Sequence, residues 1–385
     1  MNLNNNYAKQ KLENRAKIDK YMLNEHNGKV NFFPSYIQLE HTNRCNAECI
    51  MCNHFYLENR GAQDLSIKVI EKLKEIFPYC ETLMLNGDGE PFLHKDILKY
   101  IDIYSNYGIK VGTNTNLCAM SNEIWNLLEK CITFLNISCD GATKETYELI
   151  RKRLNYNTFI DNLNKLNKFA PNIRKNLDCV IMKQNIKEIP DLVKFAADND
   201  FASVRFHRLG VNPCIENEKD SDLYYINKTK EMLEIAENIA KERNIKIEVP
   251  SFKDCDEKRQ IDLLNFSKEE MEKEVCLRQT NSKEKFKDLD LSIDYLSEKV
   301  EDKDFKEDIW KCNKICKWAI ERCYIDLKGN VSTCCYNVKK TMGNLLDSNS
   351  FNDIWNGKNY VEFRKMMAKG YLPKWCKNCN WIKDF

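Results

Sequence analysis

From about residue 36 to residue 210, short apolar runs alternate with longer amphipathic stretches, the pattern of strands separated by helices. The pattern predicts strands over 36–41, 82–85, 110–113, 133–138, 178–182 and 203–207. Between them it predicts helices over 66–76, 95–104, 122–130, 144–151 with 158–169, and 186–198. Six strand–helix units in this order imply a parallel sheet with right-handed crossovers. The expected fold class is α/β: a partial (β/α)6 TIM-like barrel, followed by a small Cys-rich α+β domain, with chemistry at the C-terminal strand ends.

Within the strands, polar and apolar positions alternate. Gln38 and Glu40 oppose Ile37 and Leu39; Asn136 and Ser138 oppose Leu135 and Ile137; Arg205 and His207 oppose Val204 and Phe206. Residues two apart share a face. One face therefore packs under helices while the other carries polar groups inward, which suggests a substrate cavity rather than a filled core.

The flanks differ. Residues 1–35 form a charged leading segment, helical over 7–23, and the barrel is assigned 36–250 with a further helix over 222–243 and a strand over 246–249. Residues 251–310 are rich in Lys, Glu and Asp and read as a charged helical linker or insertion. From 311 to 385 the chain is dense in Cys, Trp and Tyr, as in a small domain that needs a metal core.

Net charge is only +2, from 60 basic and 58 acidic residues, so nothing in the balance calls for nucleic acid or an anionic membrane. No apolar run is long enough to span a bilayer, and the first twenty residues lack the apolar core of a secretory signal. A cytoplasmic, reducing location follows as the expectation. There is no nucleophile elbow, no His-Glu-x-x-His and no phosphate-binding loop.

The chain has 18 cysteines, and under reducing conditions clustered cysteines point to metal. Cys45, Cys49 and Cys52 form a Cys-x3-Cys-x2-Cys pattern directly after the first strand. A closed zinc site asks for four ligands, and His54 would be a local fourth. A four-iron cluster also takes four thiolates, so three suggest an iron left open for a non-protein ligand.

This motif resembles the signature of the radical S-adenosylmethionine (SAM) superfamily. The resemblance implies that the three cysteines hold a [4Fe-4S] cluster whose fourth iron is chelated by SAM. It further implies reductive cleavage of SAM to a 5′-deoxyadenosyl radical that abstracts hydrogen from substrate. Other segments resemble the family too. Asn86-Gly87-Asp88-Gly89-Glu90-Pro91 is similar to the glycine-rich turn that meets the SAM amino group, with Asp88 in place of the usual first glycine. Glycine there lets backbone approach a ligand closely and adopt positive φ. Asn114 and Asn116 end the third strand; Ser138, in Ser-Cys-Asp-Gly, ends the fourth; and Arg151 closes that pattern. The implied cofactor-binding set is Met51, Gly87, Asp88, Gly89, Glu90, Asn114, Asn116, Ser138 and Arg151.

In the tail, Cys316, Gly329 and Cys334 resemble the opening of the auxiliary-cluster domain called SPASM, and Cys376 and Cys379 form a terminal Cys-x2-Cys. Segments 342–345 and 351–356 resemble its joining region. Four cysteines suffice for one closed [4Fe-4S] cluster, and the chain's ending soon after Cys379 suggests the shortened, twitch form. Zinc is the alternative for these four, and Cys312 and Cys335 are competing ligands. Cys80, Cys118, Cys131, Cys139, Cys179, Cys255, Cys276 and Cys323 read as ordinary core or surface residues.

The implied cofactors are thus two [4Fe-4S] clusters and SAM, with flavodoxin or ferredoxin as the kind of electron donor. The reaction stays open between oxidation of a sugar-, cyclitol- or polyol-like substrate, epimerisation, and maturation of a ribosomal peptide; the short stretch before Cys45 weighs against the last. Candidates for catalysis are Glu40, Arg205, His207 and, as a hydrogen donor, Cys214. A non-catalytic zinc or iron–sulfur adaptor is the alternative of a different class.

Overall fold

The computed structural model describes residues 7–22, 28–52, 54, 61–210, 218–252, 267, 269–275, 309–311, 314–335, 341–373, 376 and 382–384. Along the barrel region run β1 (Tyr36–Leu39), β2 (Glu48–Cys49), β3 (Thr82–Met84), β4 (Lys110–Thr115), β5 (Ile132–Ser138), β6 (Arg151–Lys152), β7 (Arg174–Ile181), β8 (Ser203–Arg208) and β9 (Lys246–Glu248). The tail adds β10 (Ile309–Lys311), β11 (Lys314–Cys316), β12 (Arg322–Ile325), β13 (Asn330–Ser332), β14 (Gly343–Asn344), β15 (Tyr371–Pro373) and β16 (Ile382–Asp384). The main helices are α1 (Ala8–Met22), α2 (Ile67–Leu73), α3 (Ile97–Asn106), α4 (Asn122–Cys131), α5 (Lys144–Ile150), α6 (Tyr156–Phe169), α7 (Ile189–Asp198) and α8 (Ile226–Glu242). The chain divides into two compact units: Met1–Arg44, Gln63–Gly112 and Ile293–Phe385 in one, Cys45–Ala62 and Thr113–Ser292 in the other.

In the first unit β1 lies parallel to β3, and β3 parallel to β4. The other edge of β1 takes β12, also parallel, with Tyr36 opposite Arg322 and Leu39 opposite Ile325. From β12 the antiparallel strands β13 and β14 continue outward. Gly329, at φ +82°, closes the β12–β13 turn, and Asp326 caps it by accepting from the amides of Lys328 and Asn330, both at 2.9 Å. A left-handed residue is what such a turn needs, and glycine supplies it without a Cβ clash. The tail helix Phe351–Trp355 starts on a capping box between Ser350 and Asp353.

Buried apolar groups and one buried cation hold this unit together. Trp355, Tyr360 and Phe351 are fully buried. The Arg364 guanidinium lies 4.2 Å from the Trp355 ring and 4.9 Å from Tyr360, and donates to the carbonyls of Ala319 (2.9 Å) and Trp355 (2.7 Å). Arg15 on α1 donates to Glu321 (2.7 Å), Glu81 (3.0 Å) and Ser35 (2.8 Å), joining the leading helix to the β3 end and the tail.

In the second unit β5, β7, β8 and β9 pair in parallel. Leu135, Ile137, Leu177 and Val204 are buried, and α4 packs on β5 and α7 on β8. Ser121, Thr143 and Asn155 each accept a backbone N–H at the start of α4, α5 and α6, an arrangement worth about 1 kcal/mol per helix. β7 begins four residues earlier than the sequence pattern predicts. Lys175 and Asn176 break the apolar run, yet both are buried. Their polar atoms are satisfied inside: Lys175 donates to Asn167 and to the Asn199 carbonyl, and Asn176 to Asn136.

No helix among the described residues is long and apolar enough to cross a membrane.

Candidate active site

The cysteine loop belongs to the second unit. β2 pairs antiparallel with β6, placing Glu48 opposite Lys152 and Cys49 opposite Arg151. The ladder continues with Ile50 N donating to Ile150 O at 3.0 Å. Below it Ile50 is buried with Leu149, Ile150, Met182, Leu209 and Val275, and Met51 packs against the same cluster. Cys49 is buried, whereas Cys45 and Cys52 are half-buried. Asn116 Nδ2 donates to Asn46 Oδ1 at 2.7 Å, anchoring the loop between its first two cysteines. Among the described residues no three His, Cys, Asp or Glu side chains are gathered to hold a single metal ion. A closed zinc site would take four ligands, with His54 as the local fourth; a four-iron cluster takes one thiolate per iron.

Arg151 connects this loop to a buried acid. Its Nη2 lies 2.6 Å from Asp140 Oδ2, and its Nη1 donates to Cys49 Sγ at 3.8 Å. Asp140 Oδ1 accepts the Val180 amide at 2.7 Å. Burial pushes the Cys49 thiol up, opposed by the Arg151 charge. Burial also works against the Arg151 charge, but Asp140 and then Cys49 outweigh it and hold the guanidinium protonated. Arg151 Nε is buried without a hydrogen-bond partner. A cation fixed beside the Cys49 thiol, with one N–H unspent, fits an anionic group such as a cluster or a SAM carboxylate.

Across the sheet face, amide side chains form a ladder. Asn136 Nδ2 donates to Asn114 Oδ1 (2.8 Å), Asn176 Nδ2 to Asn136 Oδ1 (3.0 Å), and Ser203 Oγ to Asn176 Oδ1 (2.9 Å). One layer further toward the strand ends, Ser138 stands opposite Asp178, and Asp178 opposite Arg205. Arg205 grips Asp178 with two hydrogen bonds, Nε to Oδ1 at 2.6 Å and Nη2 to Oδ2 at 2.7 Å. His207 Nε2 lies 3.7 Å from Asp178 Oδ1, and its side chain is 52% exposed, so it is not a core histidine. The predicted alternation of Arg205 and His207 against buried Val204 and Phe206 holds.

The glycine-rich turn and Glu40 belong to the first unit. Asp88 N donates to Glu40 Oε1 at 2.9 Å, while Glu40 Oε2 accepts from Tyr324 Oη at 3.3 Å and Leu327 N at 3.4 Å. Burial, then the charge of Asp88, pushes the Glu40 carboxyl up to about 7. Glu90 is buried, and its amide donates to Arg44 O at 2.7 Å. Positive φ is not what Gly87 and Gly89 provide, contrary to the expectation from sequence: neither is among the glycines with positive φ. They provide space. A Cβ on Gly87 would lie 2.3 Å from Glu40 Cγ, and one on Gly89 2.4 Å from Thr42 O.

In the tail, Cys316 is buried at the end of β11, its amide directed to Met367 Sδ at 3.2 Å. Cys334, Cys335 and Cys376 are half-buried. Cys312 and Cys379 lie outside the described residues, as do Cys214, Cys255 and Cys276. Cys80, Cys139, Cys179 and Cys323 are buried core thiols, and burial pushes Cys80 and Cys139 up to about 12. The described cysteines form no disulfide among themselves.

Sequence reasoning did not single out Asn176, Asp178 or Tyr324, and met Asp140 only as part of Ser-Cys-Asp-Gly. Asp178 could have been found as the residue two positions past Asn176 on the strand that precedes Arg205. The Cys49–Arg151 pairing joins residues 102 apart through two-residue strands, which leave no periodicity to read.

Residues 39–196 match the model of the Radical SAM superfamily, and residues 316–380 that of an iron–sulfur cluster-binding domain, SPASM. The former implies SAM and a [4Fe-4S] cluster, the latter additional iron–sulfur ligation. Molybdenum cofactor biosynthesis protein 1 of Dictyostelium discoideum is 29% identical over 197 residues, 49% of this chain and 30% of that protein. A probable GTP 3′,8-cyclase of Methanocaldococcus jannaschii is 26% identical over 166 residues, 42% of this chain and 55% of that one. The chain thus spans about half, or less, of the length of these curated relatives. Among solved structures, SuiB of Streptococcus suis bound to S-adenosylmethionine aligns over 92% of this chain and 71% of its own, at TM-score 0.59 and 15% identity. The anSMEcpe structure with bound AdoMet aligns over 90% of this chain and 84% of its own, at TM-score 0.58 and 18% identity. At these identities the likeness is one of fold.

Proposed function

Taking as premise that the chain carries a radical SAM domain followed by a SPASM domain, we propose that it abstracts hydrogen from a small hydroxyl-bearing substrate and oxidises it. Cys45, Cys49 and Cys52 would hold the cluster that binds SAM, which when bound would supply radical hydrogen abstraction. Gly87, Asp88, Gly89, Glu90, Asn114, Asn116, Ser138, Met51 and Arg151 form the SAM-binding set. Cys316, Cys334, Cys376 and Cys379 would hold one auxiliary cluster, which would supply an acceptor for the electron left by oxidation.

One observation carries the choice of substrate: the doubly hydrogen-bonded Asp178–Arg205 pair beside an exposed His207. The pair offers acceptors and donors side by side without net charge, which suits neighbouring hydroxyl groups better than an isolated anion. In this reading His207 would move the proton from a hydroxyl whose carbon is being oxidised, and its exposure beside Asp178 supports that role.

The test is anaerobic reconstitution of the wild type and a Cys45/Cys49/Cys52→Ala variant, counting iron and 5′-deoxyadenosine with polyols, sugars and peptides in turn. About eight irons are expected, falling by about four in the variant with loss of deoxyadenosine. Tightly held zinc without SAM cleavage would promote the adaptor. A peptide substrate is the second reading, favoured by two similar structures, SuiB bound to the precursor peptide SuiA and anSMEcpe bound to the Cp18Cys peptide. Deoxyadenosine formation stimulated by peptides alone would select it.

A further inference from the structure

Glu40 is a natural candidate for a general acid or base, but its geometry points elsewhere. Both carboxylate oxygens are engaged by groups of the protein, and the side chain is only 5% exposed. On one side it meets the glycine-rich turn through Asp88 N at 2.9 Å. On the other it meets the β12–β13 hairpin, through Tyr324 Oη at 3.3 Å and Leu327 N at 3.4 Å. That hairpin runs on to Cys334, two residues past the end of β13. Gly87 is kept free of a side chain by Glu40 itself, since a Cβ there would overlap its Cβ, Cγ and Cδ. At Gly87 the turn is therefore shaped around this one side chain.

We propose that Glu40 is a positioning residue: it sets the backbone of the glycine-rich turn that receives SAM, and Tyr324 of the auxiliary domain fixes Glu40. This rests on the functional reading above, in which the turn receives SAM. The auxiliary domain then contributes to SAM affinity through a side-chain relay of Tyr324, Glu40 and the Asp88 amide, independently of electron acceptance. The relay needs no proton transfer. A neutral amide at position 40 can still accept from Asp88 N through Oε1 and donate to Tyr324 Oη through Nε2, losing only the long contact from Leu327 N at 3.4 Å, which an amide nitrogen cannot accept.

The test measures SAM affinity on reconstituted holoenzyme of wild type, Glu40→Ala, Glu40→Gln and Tyr324→Phe, with iron content and circular dichroism as controls. Glu40→Ala is expected to weaken SAM about tenfold or more, the scale of a lost buried hydrogen bond with its partner left unpaired. Glu40→Gln should return to within about threefold of wild type, and Tyr324→Phe should weaken SAM severalfold at unchanged iron. In each, turnover at saturating SAM should approach the wild-type value. Normal SAM binding with lost turnover in Glu40→Gln overturns the proposal and assigns Glu40 a proton-transfer role. Unchanged affinity in Tyr324→Phe also overturns it, and this arm decides if Glu40→Ala fails to fold. A wild type that binds no SAM overturns the functional reading and this proposal with it. A wild type that binds SAM no better than Glu40→Ala overturns this proposal alone.

Discussion

Arg151 stands directly opposite Cys49 in a two-residue antiparallel ladder and points Nη1 at its sulfur from 3.8 Å. The same guanidinium is clamped by Asp140 at 2.6 Å. Backbone pairing and side-chain contact thus fix the middle cysteine from one residue, and a cation is held where cluster charge would develop.

Arg151→Ala is expected to act twice. It strands the buried Asp140 carboxylate, which costs about 3–5 kcal/mol of stability. It also removes a hydrogen bond and a positive charge from Cys49, which under the proposed ligation should lower the cluster's midpoint potential on the order of tens of millivolts. Redox titration followed by electron paramagnetic resonance reads the second effect, and denaturant unfolding the first. The double variant Arg151→Ala/Asp140→Asn should recover much of the stability and, because it removes the negative charge felt at Cys49, part of the potential. An unshifted potential in both variants would exclude tuning by Arg151.

Substitutions at the two turn glycines should differ in kind. The obstacle to a Cβ at Gly87 is the Glu40 side chain, whereas at Gly89 it is the backbone of Thr42 and Arg44. Side chains yield more readily than backbone, so Gly89→Ala should be the more damaging, and Gly87→Ala should cost about 1–3 kcal/mol. Combining Gly87→Ala with Glu40→Ala should relieve the overlap with Cγ and Cδ but not that with Cβ at 2.6 Å, giving a partly non-additive cycle in thermal unfolding.

Stability should carry the signature of Glu40. Its carboxyl is pushed up to about 7 from a usual 4.5, chiefly by burial. The folded state therefore holds a proton that the unfolded state has released between those values. Stability from this group is full below about pH 4.5 and is lost as pH rises to about 7, by about 3 kcal/mol at most. Asp88, Asp326 and Tyr324 face the same carboxyl and shape the curve. Glu40→Gln should flatten the decline in unfolding free energy across pH 5–7; an unaltered slope would place the titration on another group.

On the sheet face, Arg205→Ala should raise the substrate KM about tenfold or more while leaving SAM affinity unchanged, because it removes two donors and frees Asp178. Asp178→Asn should keep one of the two hydrogen bonds and fall between. Steady-state assays on the substrate that stimulates deoxyadenosine formation check both. A change in SAM affinity of the same size would place the pair in the SAM site.

The sequence made the regular parts of this fold legible wherever the solvent rule held. β1, β5 and β8 show clean alternation, and the helices between them carry apolar stripes and polar caps. Legibility failed where polar groups are satisfied inside. Lys175 and Asn176 hid the start of β7, because a pattern reading cannot see that Asn167, Asn199 and Asn136 take up their hydrogen bonds. It failed again for β2 and β6, too short for periodicity, and for the docking of β12 on β1, which only tertiary packing decides. The glycines of the turn were found through their motif and misread in their reason, since the deciding Cβ clashes come from Glu40, Thr42 and Arg44. The spacing of Cys45, Cys49 and Cys52 is legible because a loop that holds a metal would write its ligands as local spacing.

The pairing of β1 with β12 has a consequence for the birth of the protein. Tyr36 meets Arg322, 286 positions later (322 less 36). A ribosome adding about 5–20 residues per second needs roughly a quarter of a minute to a minute to make that stretch. Throughout this interval one edge of the first strand lacks its partner, with amides and carbonyls open to any passing strand. Fusing a slow-translating codon run ahead of residue 322 should therefore lower the soluble yield, and trigger-factor-type holdases should restore it, although no residue of the finished molecule has changed.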